Sequence, residues 1–162
     1  MDYSSKAIGL AKTMNSDCEF YQSDITSEVV KKADLITLIE VFEHIPPGLS
    51  SSFVDGIYHH LNDGGVLYIT VPHENKPLEH YRHFNSQTIS ECFGVRFIIE
   101  KITPFESNGL FKSIIDGFLT NSFFILNNQR LKNFIYLFYK KKLFLVNDES
   151  KCNRLFIRAI KK

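Results

Sequence analysis

Cysteine is scarce in this sequence, and its spacing excludes two kinds of site. Cys18, Cys92 and Cys152 are the three cysteines, and no two of them form a C-x-x-C pair. An odd number of widely separated cysteines provides neither a disulfide framework nor a cysteine zinc site. The N-terminal stretch MDYSSKAIGLAK contains no apolar core of the kind found in secretory signals. We therefore expect a cytoplasmic protein with reduced thiols.

A charge of one sign and long apolar runs are also lacking. Nineteen basic and eighteen acidic residues leave a net charge of +1, so no overall field would attract nucleic acid. No run of about 18 uncharged apolar residues occurs, so the sequence predicts no membrane-spanning helix. A content of 44% apolar and 23% charged residues is typical of a folded protein, and 162 residues suffice for one domain.

Apolar periodicity predicts strands that alternate with helices along the first two thirds of the chain. The predicted strands are 19–22, 35–39, 66–71, 95–103 and 153–160, and the predicted helices are 6–14, 26–32, 51–61, 86–93, 110–126 and 130–142. The alternation predicts an α/β fold with a parallel sheet. The near-continuous apolar run 35–39 is typical of a strand covered on both faces. Ligands bind such sheets at the carboxyl ends of the strands.

The segment LITLIEVFEHIPP places polar residues at this ligand-binding edge. Glu40, Glu43 and His44 follow the predicted strand at spacings i, i+3 and i+4, so a helical turn would put them on one side. Carboxylates and an imidazole can bind Mg²⁺, Mn²⁺ or Zn²⁺, which makes a metal site one interpretation. In the alternative, Glu40 shapes a pocket while Glu43 and His44 satisfy the loop backbone.

Five successive segments resemble motifs of S-adenosylmethionine-dependent methyltransferases with a Rossmann-like fold: DYSSKAIGLAK, FYQSDI, DLITLIEVFEHIPP, LNDGGVLYITVP and HYRHFN. The E-V-x-E-H motif is most similar to a branch with ubiquinone-pathway O-methyltransferases and sugar or small-molecule methyltransferases. The resemblance implies a mostly parallel sheet with an antiparallel last strand. It divides the chain into a partial core at 1–105, a helical cap at 106–150 and the last strand at 151–162.

The resemblance also implies which residues hold S-adenosylmethionine. Asp2, with Tyr3 beside it, matches the acidic residue that binds the ribose hydroxyls, because a carboxylate can accept hydrogen bonds from two hydroxyl groups. Asp24 matches the residue that receives the adenine amino group, and Ile25 would pack on the ring. A helix cap or loop carboxylate is the alternative role for Asp24.

Glu40 and Val41 match the segment that lines the methionine end of the cofactor. The family's glycine-rich turn, E/D-x-G-x-G-x-G, would precede Asp2, where only Met1 stands. This turn lets the backbone approach the cofactor, so its absence predicts weak cofactor binding by a truncated chain with little activity. The family's first strand, its first helix and nearly all of its second strand would also precede Asp2, and their absence predicts an unpaired sheet edge through which oligomers could form. A non-catalytic fragment or partner-binding remnant is the alternative function.

Three histidines, His44, His80 and His83, are candidates for catalysis at the acceptor. As a general base, one of them would take the proton of an acceptor hydroxyl. With a metal at Glu40, Glu43 and His44, the cation would instead lower the pKa of that hydroxyl. The motif also resembles that of small-RNA 2′-O-methyltransferases, so metal-assisted RNA methylation is a further alternative.

The expected acceptor is a small molecule, a glycan or a lipid-linked molecule. Arg82 would bind an anionic acceptor group or a nearby carboxylate. The tail 123–146 mixes large apolar residues with five basic ones. Its spacing favours a helical cap over the acceptor pocket, and the alternative is an interfacial helix in peripheral contact with a membrane. Nucleic acid is the less favoured partner, because the basic residues are few.

Overall fold

The computed structural model describes residues 1–27, 29–75, 82–109, 112–115, 117 and 129–162. The elements are α1 (Ser5–Met14), β1 (Ala33–Ile39), α2 (Ser50–His60), β2 (Leu61–Pro72), α3 (Ser86–Phe93), β3 (Phe97–Ser107), α4 (Gln129–Tyr139) and β4 (Cys152–Lys161). Short 3₁₀ turns occur at Phe42–His44, Pro47–Leu49 and Glu149–Lys151, and a π-helical turn at Lys140–Phe144 extends α4. Among the described residues, none of the helices has the length and apolarity needed to cross a membrane.

The four strands form one mixed sheet in the order β1-β2-β4-β3. β1 and β2 are parallel. β4 lies between β2 and β3 and runs antiparallel to both. The α/β class and the antiparallel last strand are therefore confirmed. The run Asn-Asp-Gly-Gly at 62–65, a composition typical of turns, lies inside β2, where Gly64 has a φ of 71° and the register with β1 shifts.

The core lies between one face of this sheet and helices α2 and α3. Phe42 is fully buried at its centre, with its ring 4.8 to 6.1 Å from the rings of Phe53, Phe84 and Phe93. Burying a side chain of this size contributes about 1.5 to 3 kcal/mol. The 3₁₀ turn that carries Glu43 and His44 is thus fixed by the packing of its first residue.

The outer strand β1 is covered on one face. Ile36 and Leu38 face the core, while Leu35 and Ile39 on the other face are 49% and 59% exposed. The prediction of a strand covered on both faces is wrong for the described part of the chain. The run is apolar throughout, but within those residues β1 pairs with β2 alone and is an edge strand.

Two local predictions before β1 are also wrong. Residues 19–22 do not form a strand; Gln22 alone makes a parallel bridge, with Asp2. No helix occurs at 26–32 among its described positions, where a turn at 25–26 leads into irregular backbone. The carboxylate of Asp24 accepts hydrogen bonds from the backbone and hydroxyl of Thr26, which closes a local turn at 24–26. The predicted helix 110–126 lies mostly outside the described residues.

Glu149 links the start of α3 to the segment before β4. It accepts hydrogen bonds from the Ser86 backbone N–H at 2.7 Å and hydroxyl at 2.6 Å, and lies 3.3 Å from His73 Nε2. Burial alone would raise the pKa of Glu149, but these hydrogen bonds from Ser86 and His73 outweigh it and hold the pKa below its usual 4.5. The carboxylate therefore stabilises the fold in its ionised form.

Candidate functional site

A pocket of about 440 Å³ opens between the N-terminal segment and the carboxyl end of β1. Its wall includes five of the six residues predicted to bind the cofactor: Asp2, Tyr3, Asp24, Ile25 and Val41. The volume is within the range of pockets that enclose small ligands, about 300 to 1,000 Å³. A more open depression of about 550 Å³ lies over residues 12–21, away from the strand ends.

Backbone hydrogen bonds bring the two aspartates to the same wall. The Asp2 N–H donates to Tyr21 O, and the Ser23 N–H donates to Asp2 O, each at 3.1 Å. These two bonds place the residue after the N-terminal methionine beside the Asp24 turn. The structure thus assembles a paired-carboxylate wall from segments that are distant in sequence.

Each of these carboxylates also stabilises a local turn. Asp2 Oδ1 accepts a hydrogen bond from the Ser4 N–H at 2.8 Å, just before α1. Asp24 Oδ1 accepts from the Thr26 N–H and hydroxyl, both at 2.8 Å, and these bonds lower the pKa of Asp24. The loop role considered as the alternative for Asp24 is therefore real. The turn uses Asp24 Oδ1, and Asp24 Oδ2 receives no hydrogen bond from the described residues.

Helix α2 supports the loop that carries Ile25. A Cβ added at Gly56 would lie 2.3 Å from Ile25 O and 2.9 Å from Ile25 C, so the helix and the loop touch through their backbones. Ser52 and Phe53 of the same helix line the pocket. Gly56 was not among the predicted site residues, although a glycine within a helical pattern can indicate such a close approach.

Glu40 lies next to the pocket in an unusual backbone conformation, with a φ of 53°. Its N–H is shared between Thr70 O and Thr70 Oγ1, each at 3.2 Å. Its Oε2 lies 3.5 Å from Nη2 of Arg154, which is 32% exposed. Its Oε1 is buried and has no hydrogen-bond partner among the described residues.

Glu43 and His44 point to different environments. Glu43 is fully buried, whereas the His44 side chain is 52% exposed, with Nε2 4.0 Å from Glu43 Oε1. Within the part of the chain that the structure describes, no three His, Cys, Asp or Glu side chains are close enough to hold a metal ion. Glu40, Glu43 and His44 are therefore not brought together as a ligand set there.

The loop before α3 contributes a structural cation. Arg82 Nη1 donates to Ile45 O at 3.2 Å and Ser50 Oγ at 2.5 Å, and its guanidinium lies about 5 Å from the rings of Phe42 and Phe84. Arg82 thus holds pocket-lining Ile45 in place. Its binding of an acceptor anion stays a prediction. His83 is half-buried and does not line the pocket, and His80 lies outside the described residues.

Comparison with known proteins gives a family and a fold. A family model described as a methyltransferase domain matches residues 1–99. The N-methyltransferase NodS from Bradyrhizobium japonicum WM9, solved in complex with S-adenosylhomocysteine, superimposes with a TM-score of 0.60 at 12% identity, over 99% of this chain and 64% of NodS. A SAM-dependent methyltransferase from Methanosarcina mazei superimposes with a TM-score of 0.61 at 14% identity. The superposition covers 99% of this chain and 79% of that protein.

A third similar structure contains both a cofactor product and an acceptor. It is the Burkholderia thailandensis 1,6-didemethyltoxoflavin-N1-methyltransferase with 1,6-didemethyltoxoflavin and S-adenosylhomocysteine bound. Its TM-score is 0.57 at 12% identity, over 98% of this chain and 57% of that protein. The chain thus spans less than two thirds of the length of this protein and of NodS. No curated protein sequence matches it.

Proposed function

This chain belongs to the methyltransferase domain family, and we propose that its pocket beside Asp2 and Asp24 binds the adenosyl part of S-adenosylmethionine. The observation that carries the proposal is the convergence of both carboxylates and Ile25 on one pocket wall. Asp2 would accept hydrogen bonds from the ribose hydroxyls, and Asp24 would accept one from the adenine amino group. Ile25 would pack against the ring.

The proposed reaction is methylation of an oxygen on a small-molecule, glycan or lipid-linked acceptor. Bound S-adenosylmethionine would supply an electrophilic methyl group, whose bond to sulfur breaks as its bond to the acceptor oxygen forms. His44 is the described histidine best suited to take the hydroxyl proton at Nε2, because it follows pocket-lining Val41 by three residues and is exposed. Positioning of the two reactants would supply most of the acceleration.

A divalent cation at Glu40, Glu43 and His44 fits the described residues poorly. The Arg154 guanidinium already lies against Glu40, and Glu43 is buried in the core. Metal-assisted RNA 2′-O-methylation is therefore the less favoured function, in agreement with a net charge of +1.

Titration calorimetry with S-adenosylhomocysteine tests the pocket. Asp24→Asn keeps the acceptor oxygen for the Thr26 turn but removes the charge, so we expect affinity to fall about tenfold, or ~1.4 kcal/mol. Asp17→Asn is the matched control, because Asp17 is exposed and does not line the pocket. Equal affinities for the wild type and Asp24→Asn would contradict the assignment of Asp24. No binding by the wild type would favour the non-catalytic, partner-binding alternative.

We also propose that α4 contacts an anionic membrane surface when the acceptor is lipid-linked. Phe134 and Leu137 on this helix are 68% and 63% exposed. Residues 117–147 contain five basic and no acidic side chains. An exposed apolar face with basic neighbours is typical of interfacial helices.

Sedimentation with vesicles tests this contact. Wild-type protein should sediment with vesicles that contain phosphatidylserine and remain in solution with purely zwitterionic ones. Phe134→Ser combined with Leu137→Ser should abolish sedimentation, while Leu10→Ser on exposed α1 should not. Equal sedimentation of all three proteins would contradict the proposal.

A further inference from the structure

Two glutamates share a backbone conformation that is rare for their residue type. Glu40 and Glu106 have φ values of 53° and 61°, and they are the non-glycine residues with positive φ in the described chain. The left-handed conformation costs about 1 to 2 kcal/mol for a residue with a Cβ. Such residues persist where their surroundings fix them, and they cluster at functional sites.

Both glutamates meet at the same arginine. Arg154 Nε lies 2.9 Å from Glu106 Oε2, and its Nη2 lies 3.5 Å from Glu40 Oε2. On the far side, Lys112 Nζ lies 2.6 Å from Glu106 Oε1. The four side chains form a row of alternating charge, which we call the Arg154 network. It connects the carboxyl end of β1 with the segment that follows β3.

The position of Arg154 in the sheet explains how it reaches both carboxylates. It lies near the start of β4, opposite Pro72 of β2 and Phe105 of β3. The guanidinium therefore stands at the edge where β2 ends and where Glu40 follows β1. A planar fork with several N–H donors can bind two carboxylates at once, which a lysine ammonium on a flexible stem cannot do with the same geometry.

Two atoms of this network, Arg154 Nε and Glu40 Oε1, are buried without a hydrogen bond among the described residues. Arg154 Nε is still in ion-pair contact with Glu106 Oε2, so it is Glu40 Oε1 that points to a ligand. A buried carboxylate oxygen requires a donor, and a positively charged amine is the strongest candidate. Glu40 also precedes Val41, which lines the adenosyl pocket.

We propose that Arg154 is a positioning residue that holds Glu40 so that its Oε1 accepts a hydrogen bond from the amino group of the cofactor's amino-acid end. The inference rests on the proposed function, since it requires the adenosyl part to occupy the pocket. Arg154 touches no ligand itself. It fixes the Glu40 side chain before binding, while Glu106 and Lys112 fix Arg154.

Two ligands separate this role from a general structural one. S-adenosylhomocysteine carries the amino-acid end, whereas 5′-methylthioadenosine has the same adenosyl group and lacks it. Arg154→Lys keeps the charge and loses the fork, so its affinity for S-adenosylhomocysteine should fall about tenfold, the scale of one hydrogen bond to a charged group. Its affinity for 5′-methylthioadenosine should stay within about twofold.

The matched control is Arg158→Lys, because Arg158 lies on the same strand and pairs with Glu100, away from Glu40. This variant should bind both ligands as the wild type does. Glu40→Gln should lose affinity for S-adenosylhomocysteine selectively, and adding Arg154→Lys to it should cause little further loss.

Four results would overturn the inference. Equal losses for both ligands in Arg154→Lys would show a structural role, and unchanged affinity for S-adenosylhomocysteine would show no role. Wild-type protein that binds neither ligand would contradict the proposed function itself, and the inference would fall with it. Wild-type binding of 5′-methylthioadenosine alone would support the adenosyl pocket and refute the role of Glu40.

Discussion

Replacing Gly56 with alanine would separate α2 from the loop that carries Asp24 and Ile25. The new Cβ would lie 2.3 Å from Ile25 O. Carbon and oxygen atoms in close contact are usually about 3.3 Å or more apart, so the two backbones must move apart by about 1 Å. Because both backbones are held by their own hydrogen bonds, the more weakly connected loop at 24–26 should make most of this movement.

The expected effect on stability is small. Overpacking costs about 1 to 3 kcal/mol, while alanine in place of glycine inside a helix gains about 1 kcal/mol. The net loss in free energy of unfolding should therefore be about 0 to 2 kcal/mol. Ligand affinity should be affected more clearly than stability, because the displaced loop carries the residues that would contact adenine. We expect about a tenfold loss of affinity for S-adenosylhomocysteine.

Calorimetric titration and thermal unfolding measure the two effects separately. Gly9→Ala in α1 is the control, because its added Cβ meets no atom within 4 Å. It should bind S-adenosylhomocysteine like the wild type and be slightly more stable, by up to about 1 kcal/mol. Wild-type affinity in a folded Gly56→Ala protein would refute the reasoning that the 24–26 loop forms the adenine wall.

Three further predictions concern the rest of the fold. Burial raises the pKa of the Cys152 thiol to about 11. Iodoacetamide at pH 8 should therefore label exposed Cys18 readily and Cys152 only after denaturation. Peptide mass spectrometry would measure the labelling of each cysteine. Glu149→Gln should lower the melting temperature at neutral pH. Because the pKa of Glu149 in the folded protein lies below its usual 4.5, the difference from wild type should disappear only as the pH falls below that value and Glu149 becomes protonated. A difference in melting temperature that persists in acid would count against the ionised carboxylate. If the β1 edge mediates oligomers, as we propose, Leu35→Lys should reduce self-association in light scattering, and an unchanged mass distribution would disprove it.

Local patterns in the sequence account for much of the fold. The run 35–39 has the length and composition of a strand, and the turn residues beyond it predict where the strand ends. The resemblance to methyltransferase motifs assigned Asp2 and Asp24 to one cofactor site from the sequence alone. Asp2 and Asp24 do lie on the wall of one pocket.

Features that depend on distant contacts could not be predicted in this way. Nothing near Glu40 in the sequence indicates that Arg154, from the last strand, lies against it. The same limitation applies to the exposed face of Leu35 and Ile39, since an apolar run does not reveal how many layers cover it. The helix predicted at 26–32 does not form at its described positions, although the Thr26 backbone N–H bonds to the Asp24 side chain as it would at the start of a helix.

The most direct test of the central claim is an amide NMR titration of the isotopically labelled chain with S-adenosylhomocysteine. Chemical-shift changes should be concentrated at residues 2–3, 24–25 and 40–41, around the pocket of about 440 Å³. Changes concentrated at residues 12–21, over the more open depression, would contradict it, and so would a titration that moves no resonance.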